Sequence, residues 1–201
     1  MKILMLYTPR SGSTSILRYF EKVRPEFEII NQPWSRAVAQ LENRKQINYF
    51  DILKENNIFV KSTINFLFDL NFSIENLKKD FNKIIILDRK NSTEQLQSYA
   101  HAEKHRSFLD SSKYLFDDNI NSDLYEYCND TITNGKEKIE FLKKELNAEL
   151  FYYEDLYYDN FDKLFSYLEI EYIEEYYQMF LNIKNKYRLN KTDVKNKKTL
   201  F

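Results

Sequence analysis

The run Lys83-Ile84-Ile85-Ile86-Leu87 is apolar at successive positions and then stops in Asp88-Arg89-Lys90. A strand with one wet face would alternate, so a run without alternation predicts a strand covered on both faces. Lys2-Ile3-Leu4-Met5-Leu6-Tyr7 has the same character and ends before Pro9. Strands of this kind belong to a sheet with layers above and below it, and helical patterns lie between them.

Ser13 to Lys22 places Ile16, Leu17 and Phe20 on one helical face. Glu28 to Ile30 reads as a short second strand, Trp34 to Asn43 as a helix, and Ile58 to Lys61 as a third strand ending in polar Ser62 and Thr63. Ile74 to Phe81 predicts a short helix. Ser92 to Phe108 predicts a longer one, with Leu96, Tyr99 and Ala100 for packing. Leu124 to Leu146 is helical with a break near Gly135, and Ala148 to Tyr152 is a late strand. Asp155 to Leu168 and Ile173 to Tyr187 are helical in pattern. Strands alternating with helices imply right-handed crossovers and an α/β fold, one parallel sheet flanked by helices. Ligands of such sheets sit at the carboxyl ends of the strands. The 201 residues suit one domain over 1–188, with a basic tail over 189–201. Lys184, Lys186, Arg188, Lys191, Lys195, Lys197 and Lys198 face one acid, Asp193, in and before that tail, the pattern of a solvated end.

Lys+Arg (30) nearly cancels Asp+Glu (31), so no broad positive field invites nucleic acid, and an anion must be met by a local cluster. The single cysteine, Cys128, excludes an internal disulfide and fits a buried thiol in a reducing, cytoplasmic setting. The apolar start is too short for a signal segment or a membrane span.

Two segments carry the anion chemistry. Thr8-Pro9-Arg10-Ser11-Gly12-Ser13-Thr14 lies between a buried strand and a helix. Gly12, one of only two glycines, lets the backbone approach a ligand. Ser11, Ser13 and Thr14 offer hydroxyls, the helix start offers N–H groups, and Arg10 adds a fixed charge. Everything in this loop donates, so it predicts a phosphate or sulfate, with an ordinary Ser-rich helix cap and turn glycine as the alternative. A Walker A loop needs a second glycine followed by Lys, and neither is present. Asp88-Arg89-Lys90-Asn91-Ser92 closes the strongest strand, and Ser98 follows on the next helix. Ser98 reaches the same anion only if that helix lies along the cleft.

The Thr8–Thr14 loop resembles the 5′-phosphosulfate loop of sulfotransferases that use PAPS (3′-phosphoadenosine 5′-phosphosulfate). The segment from Ile84 through Arg89 to Ser98-Tyr99 resembles their 3′-phosphate site. Phe151-Tyr152-Tyr153-Glu154-Asp155-Leu156 is similar to their late strand and Tyr-Glu-Asp-Leu segment. The resemblance spans residues 3 to 170 and implies the P-loop-like sulfotransferase fold, with PAPS as co-substrate, PAP as product and no metal. It implies that Ser11, Gly12, Ser13 and Thr14 hold the 5′-phosphosulfate and that Arg10, where many members have Lys, stabilises charge on the bridging oxygen. Arg89 and Ser98 would bind the 3′-phosphate, with Lys90 the rival for the role of Arg89, and Tyr153 would pack near the adenine. Lys61, at a strand end, would touch the sulfuryl group or stand exposed.

The general base is not assigned by the resemblance. Thr63 and Gln32 stand where members often have His or Glu. Glu28, His101 and His105 are the other candidates, the histidines being expected on a solvated helix face. The histidines are spaced i, i+4, as a shared metal would need, but His-Ala-Glu-Lys-His is not the H-E-x-x-H motif and no third ligand suggests itself. The aromatic residues at helical spacing, such as Tyr157, Phe161 and Phe165, read as core. The acceptor is expected to be a carbohydrate or other small hydroxylated molecule, shaped by residues 31–57, 62–73 and 105–123. The oligomeric state is open. Competing readings are a protein that binds PAP without transfer, a nucleoside-phosphate kinase-like enzyme, and a nucleic-acid binder using the tail.

Overall fold

The apolar run at the start of the chain becomes the central strand. β1 (Lys2–Tyr7) is paired in parallel with β3 (Ile58–Thr63) on one side and β4 (Lys83–Asp88) on the other. β2 (Glu28–Asn31) lies beyond β3 and β5 (Glu149–Tyr152) beyond β4, so the order is β2-β3-β1-β4-β5 with every pairing parallel. The structure is a computed structural model and describes residues 1–35, 45–69, 72–105, 120–159 and 161–178.

Alternate residues of β1 enter different cores, as the pleat requires. Ile3, Met5 and Tyr7 pack with Ile16, Leu17 and Phe20 of α1 (Ser13–Val23) and with Leu164, Phe165 and Leu168 of α8 (Asp162–Leu168). Leu4 and Leu6 join the opposite core with Ile64 and Leu67 of α3 (Ile64–Asp69), Leu77 of α4 (Ile74–Asp80) and Leu142 of α7 (Ile139–Leu146). The crossover after β1 thus covers one face, and the crossovers after its neighbours β3 and β4 cover the other. The carboxyl end of β1 is the switch point, where α/β sheets open a crevice.

Local chemistry sets the helix ends. The Ser73 hydroxyl accepts from the Asn76 N–H at 3.3 Å to start α4. The Asn121 side chain accepts from the Asp123 N–H at 2.9 Å to start α6 (Ser122–Glu137). Asn147 and Glu169, at φ 52° and 55°, end α7 and α8 in left-handed turns.

Several expected boundaries shift. The stretch 124–146 breaks at Lys138, not at Gly135. Gly135 is helical and buried, and a Cβ there would stand a tight 3.3 Å from Thr8 Cγ2. The expected helix over 155–168 is a π-helical turn, Asp155–Asp159, followed by α8. β3 runs on to Thr63 and continues directly into α3, and a helical turn α2 (Tyr49–Ile52) precedes it. Both helices are too short to show a period in the sequence. α5 (Ser92–His105) follows β4 as expected. Of the expected helix over 34–43, residues 36–43 lie outside the described residues. So do 106–108, 179–187 and the basic tail. Among the described residues no helix is long and apolar enough to cross a membrane.

Phe20 is fully buried, with ring centroids 5.1 Å from Phe27 and 4.5 Å from Phe59. Phe20→Ala is expected to cost about 3–5 kcal/mol, a large share of a typical domain's stability. A lowered denaturant midpoint with an unchanged slope is the measurement that checks it.

Candidate functional site

The loop after β1 enters α1 through Gly12 at φ 83°, a conformation that favours glycine. A Cβ there would stand 2.8 Å from the Tyr157 Oη and 3.0 Å from Tyr153 Cδ2, so the absence of a side chain is also steric. The Tyr157 hydroxyl donates to the Gly12 carbonyl at 3.1 Å. Arg10 is at φ 62°, a strained position for a residue with a side chain. Of the first-turn N–H groups of α1, that of Ser15 already donates to the Gly12 carbonyl at 3.1 Å, and those of Ser13 and Thr14 precede the helical bonding pattern. Beside them Ser11 is fully buried, and its Oγ has no hydrogen-bond partner. Such a group costs about 1–3 kcal/mol and fits a donor kept for a ligand.

Lys61 reaches this loop from β3. The residue is 3% exposed and its Nζ donates to the Thr14 Oγ1 at 2.9 Å, 4.9 Å from the Tyr7 ring centroid. It is therefore not the exposed strand-end lysine that the sequence allowed. Burial first, then the charges of Arg18 and Arg10, lower its pKa to about 7. The loop gathers positive charge and buried donors.

α5 lies along the same loop. Arg10 Nε donates to the Ser98 Oγ at 2.9 Å. Gln95 Nε2 donates to Thr8 Oγ1 at 2.8 Å and to the Pro9 carbonyl at 2.7 Å. Thr8 in turn donates to Asp88 Oδ1 at 2.6 Å, and Lys136 of α6 pairs with Asp88 Oδ2 at 3.2 Å. Lys136 also donates to the Arg89 carbonyl. Both glycines of the chain therefore serve one loop, Gly12 within it and Gly135 where α6 meets Thr8.

Arg89 and Lys90 diverge. Arg89 is buried and donates from Nη2 to Glu94 Oε2 at 2.6 Å, with Nε 3.4 Å from Glu154 Oε1 in an ionic contact rather than a hydrogen bond. Its guanidinium lies 4.6 Å from the Tyr153 ring centroid, and Tyr157 stacks on the same ring at 4.3 Å. Tyr153 thus has two partners at stacking distance. Lys90 is half exposed and pairs with Asp155, which raises its pKa first through that hydrogen bond.

The structure brings together Arg10, Ser11, Gly12, Ser13, Thr14, Lys61 and Ser98. It links Arg89 and Tyr153 to them through Tyr157 and gives Ser98 to Arg10 rather than to Arg89. His101 is 2% exposed, which corrects the expected solvated face. α5 is buried on more than one side, against α6 through Leu96 and Ala100 and against the loop through Gln95. Glu28 sits at the amino end of β2, in register with the first residue of β3, so it faces away from the loop and is no candidate base. Gln32, at φ 46°, donates its amide to the Tyr7 hydroxyl. Cys128 is a buried free thiol, its pKa raised to about 11 first by burial. Among the described residues no three His, Cys, Asp or Glu side chains gather as metal ligands. Sequence reasoning missed Glu94, Glu154, Lys136 and Tyr157 as parts of the site. Only Glu154 and Tyr157 carried a signal, in or beside the Tyr-Glu-Asp-Leu segment.

No family model, curated protein or solved structure matches the chain.

The depressed pKa of Lys61 has a stability consequence. Between pH 7 and its unfolded value near 10.5 the unfolded state binds the extra proton, so stability rises with pH over that window. Lys61→Met is expected to flatten the rise. Denaturation of both proteins at pH 7 and pH 9 measures it, and equal pH dependence in the two would contradict the assignment.

Proposed function

We propose that the chain is a sulfotransferase that uses PAPS and adopts the P-loop-like sulfotransferase fold. The observation that carries this reading is the convergence of Arg10, the unpartnered buried Ser11 and the buried Lys61 at the start of α1, on the switch strand. An anion of the size of a phosphosulfate satisfies all three at once. Gly12 lets the backbone approach it, and Ser13 and Thr14 complete the donor set. The resemblance of three segments to that family, in family order, supports the same ligand.

The chemistry follows from the arrangement. The sulfuryl group moves in line from the phosphate to an acceptor oxygen or nitrogen, and negative charge builds on the departing PAP. Arg10 and Lys61 are the cations aimed at that charge, and removing one such group typically costs about 10²–10³ in rate. Lys61 stays protonated beside the anion, so it stabilises charge and takes no proton. The acceptor's proton goes to His101, which is buried on α5 three residues beyond the Arg10-bound Ser98. Arg89 or Lys90 meets the 3′-phosphate. Either gives up a carboxylate, Lys90 the exposed Asp155 and Arg89 the half-exposed Glu94. The acceptor is a carbohydrate or other small hydroxylated molecule by analogy with the family alone.

A second reading, binding of PAP without transfer, is favoured by Gln32, whose amide is engaged by Tyr7 where the family often has an acid. PAP release dependent on an added acceptor, and lost in His101→Gln, separates the two.

Calorimetric titration with PAP, beside ATP and Mg²⁺, is the direct test. Micromolar or tighter PAP binding is expected, absent for ATP and lost in Arg10→Ala. The bound anion favours protonated Lys61, so wild-type affinity should fall as pH rises above about 7 and should do so less in Lys61→Met. No PAP binding by folded protein would overturn the reading.

A further inference from the structure

Two carboxylates hold Arg89, and they are anchored differently. Glu154 accepts the backbone N–H groups of Lys90 at 2.8 Å and Asn91 at 3.1 Å, and its side chain is 19% exposed. Burial works to raise its pKa, but those two N–H groups and Arg89 prevail and lower it. Glu154 is thus built into the turn that leads into α5. Glu94 stands on the first turn of α5, and its side chain is 43% exposed. Its backbone N–H is bound by the Asn91 side chain at 3.1 Å, which fixes the main chain there.

The charges around Arg89 are the reverse of those at the loop. One guanidinium faces two carboxylates, and the neighbouring Lys90–Asp155 pair is balanced. At the loop Arg10, Arg18 and Lys61 act on one another as like charges. A single anionic group is therefore drawn to the loop and repelled from Arg89.

We propose that Glu94 is a specificity-determining residue, whose carboxylate occupies Arg89 in the empty protein and is displaced by the second phosphate of a nucleotide that carries two. The inference rests on the donor reading above. Glu94 is the group that leaves, because displacing Glu154 would strand the N–H groups of Lys90 and Asn91. A phosphate that replaces it offers several acceptor oxygens to the guanidinium and can bind it in the bidentate way that suits both groups. A nucleotide with only a 5′-phosphate leaves Glu94 in place and gains nothing from Arg89. The carboxylate thus raises the threshold for ligands at this end of the site, and the 3′-phosphate is the feature that passes it.

Removal of the charge while the shape is kept isolates the effect. In Glu94→Gln, PAP binding is expected to tighten about tenfold, while 5′-AMP binding changes less than twofold. In an Arg89→Ala background the same substitution should give no gain, since the two residues then have nothing to exchange. A merely structural role for Glu94 predicts the opposite, a loss for both ligands with a lowered Tm. Wild-type binding of PAP with no tightening in Glu94→Gln overturns this inference and leaves the donor reading standing. Equal tightening for PAP and AMP also overturns it, because a general change of field would then suffice. If folded wild type and Glu94→Gln both fail to bind PAP, both readings fall.

Discussion

The buried Asp88 carboxylate joins the parts on which the site depends. It accepts from Thr8 at the end of β1 and pairs with Lys136 of α6, while Gln95 of α5 grips Thr8 and the Pro9 carbonyl. A charge in this position is costly to bury alone and tolerable once hydrogen-bonded and paired. Four elements are thereby fixed around the carboxyl ends of β1 and β4. The strained loop at Arg10 and the left-handed turn at Gly12 are held in place by this network on one side and by Tyr157 on the other.

The network also explains how the site divides. Near the loop the charges of Arg18 and Arg10 act on Lys61, and after its burial they further lower its affinity for a proton. Near Arg89 the acids prevail, and the guanidinium is stacked on Tyr153 and clasped by Glu94 and Glu154. The first region holds grouped cations, and at the second carboxylates already meet the guanidinium. A ligand that engages both must exchange contacts at the second, so binding there is selective in a way that binding at the loop is not.

Much of the fold was legible from the chain. The unbroken apolar runs at β1 and β4 fixed which strands are buried on both faces, and α1 and α5 follow them as the periodicity predicts. The short elements were not legible. Tyr49–Ile52 and Ile64–Asp69 are shorter than the window in which a helical period shows, and packing over the sheet decides them. Gly135 looked like a break because glycine weakens helices, yet it is helical and buried, where a Cβ would stand a tight 3.3 Å from Thr8 Cγ2.

The candidate loop was legible in the sequence, as a run of Ser, Thr and Gly between a buried strand and a helix. Its surroundings were decided by tertiary structure. Lys61 became a loop residue because β3 lies beside β1 in register, with Tyr7 opposite Thr63. His101 became buried because α5 packs on two sides, and Glu28 was removed from contention by the direction of β2. Arg89 is clasped because Glu94, five residues on, and Glu154, distant in sequence, are brought to it by α5 and by the segment after β5. Residue type and local period record what each segment can do. Which charges face one another depends on strand order and helix packing, and those are properties of the folded chain.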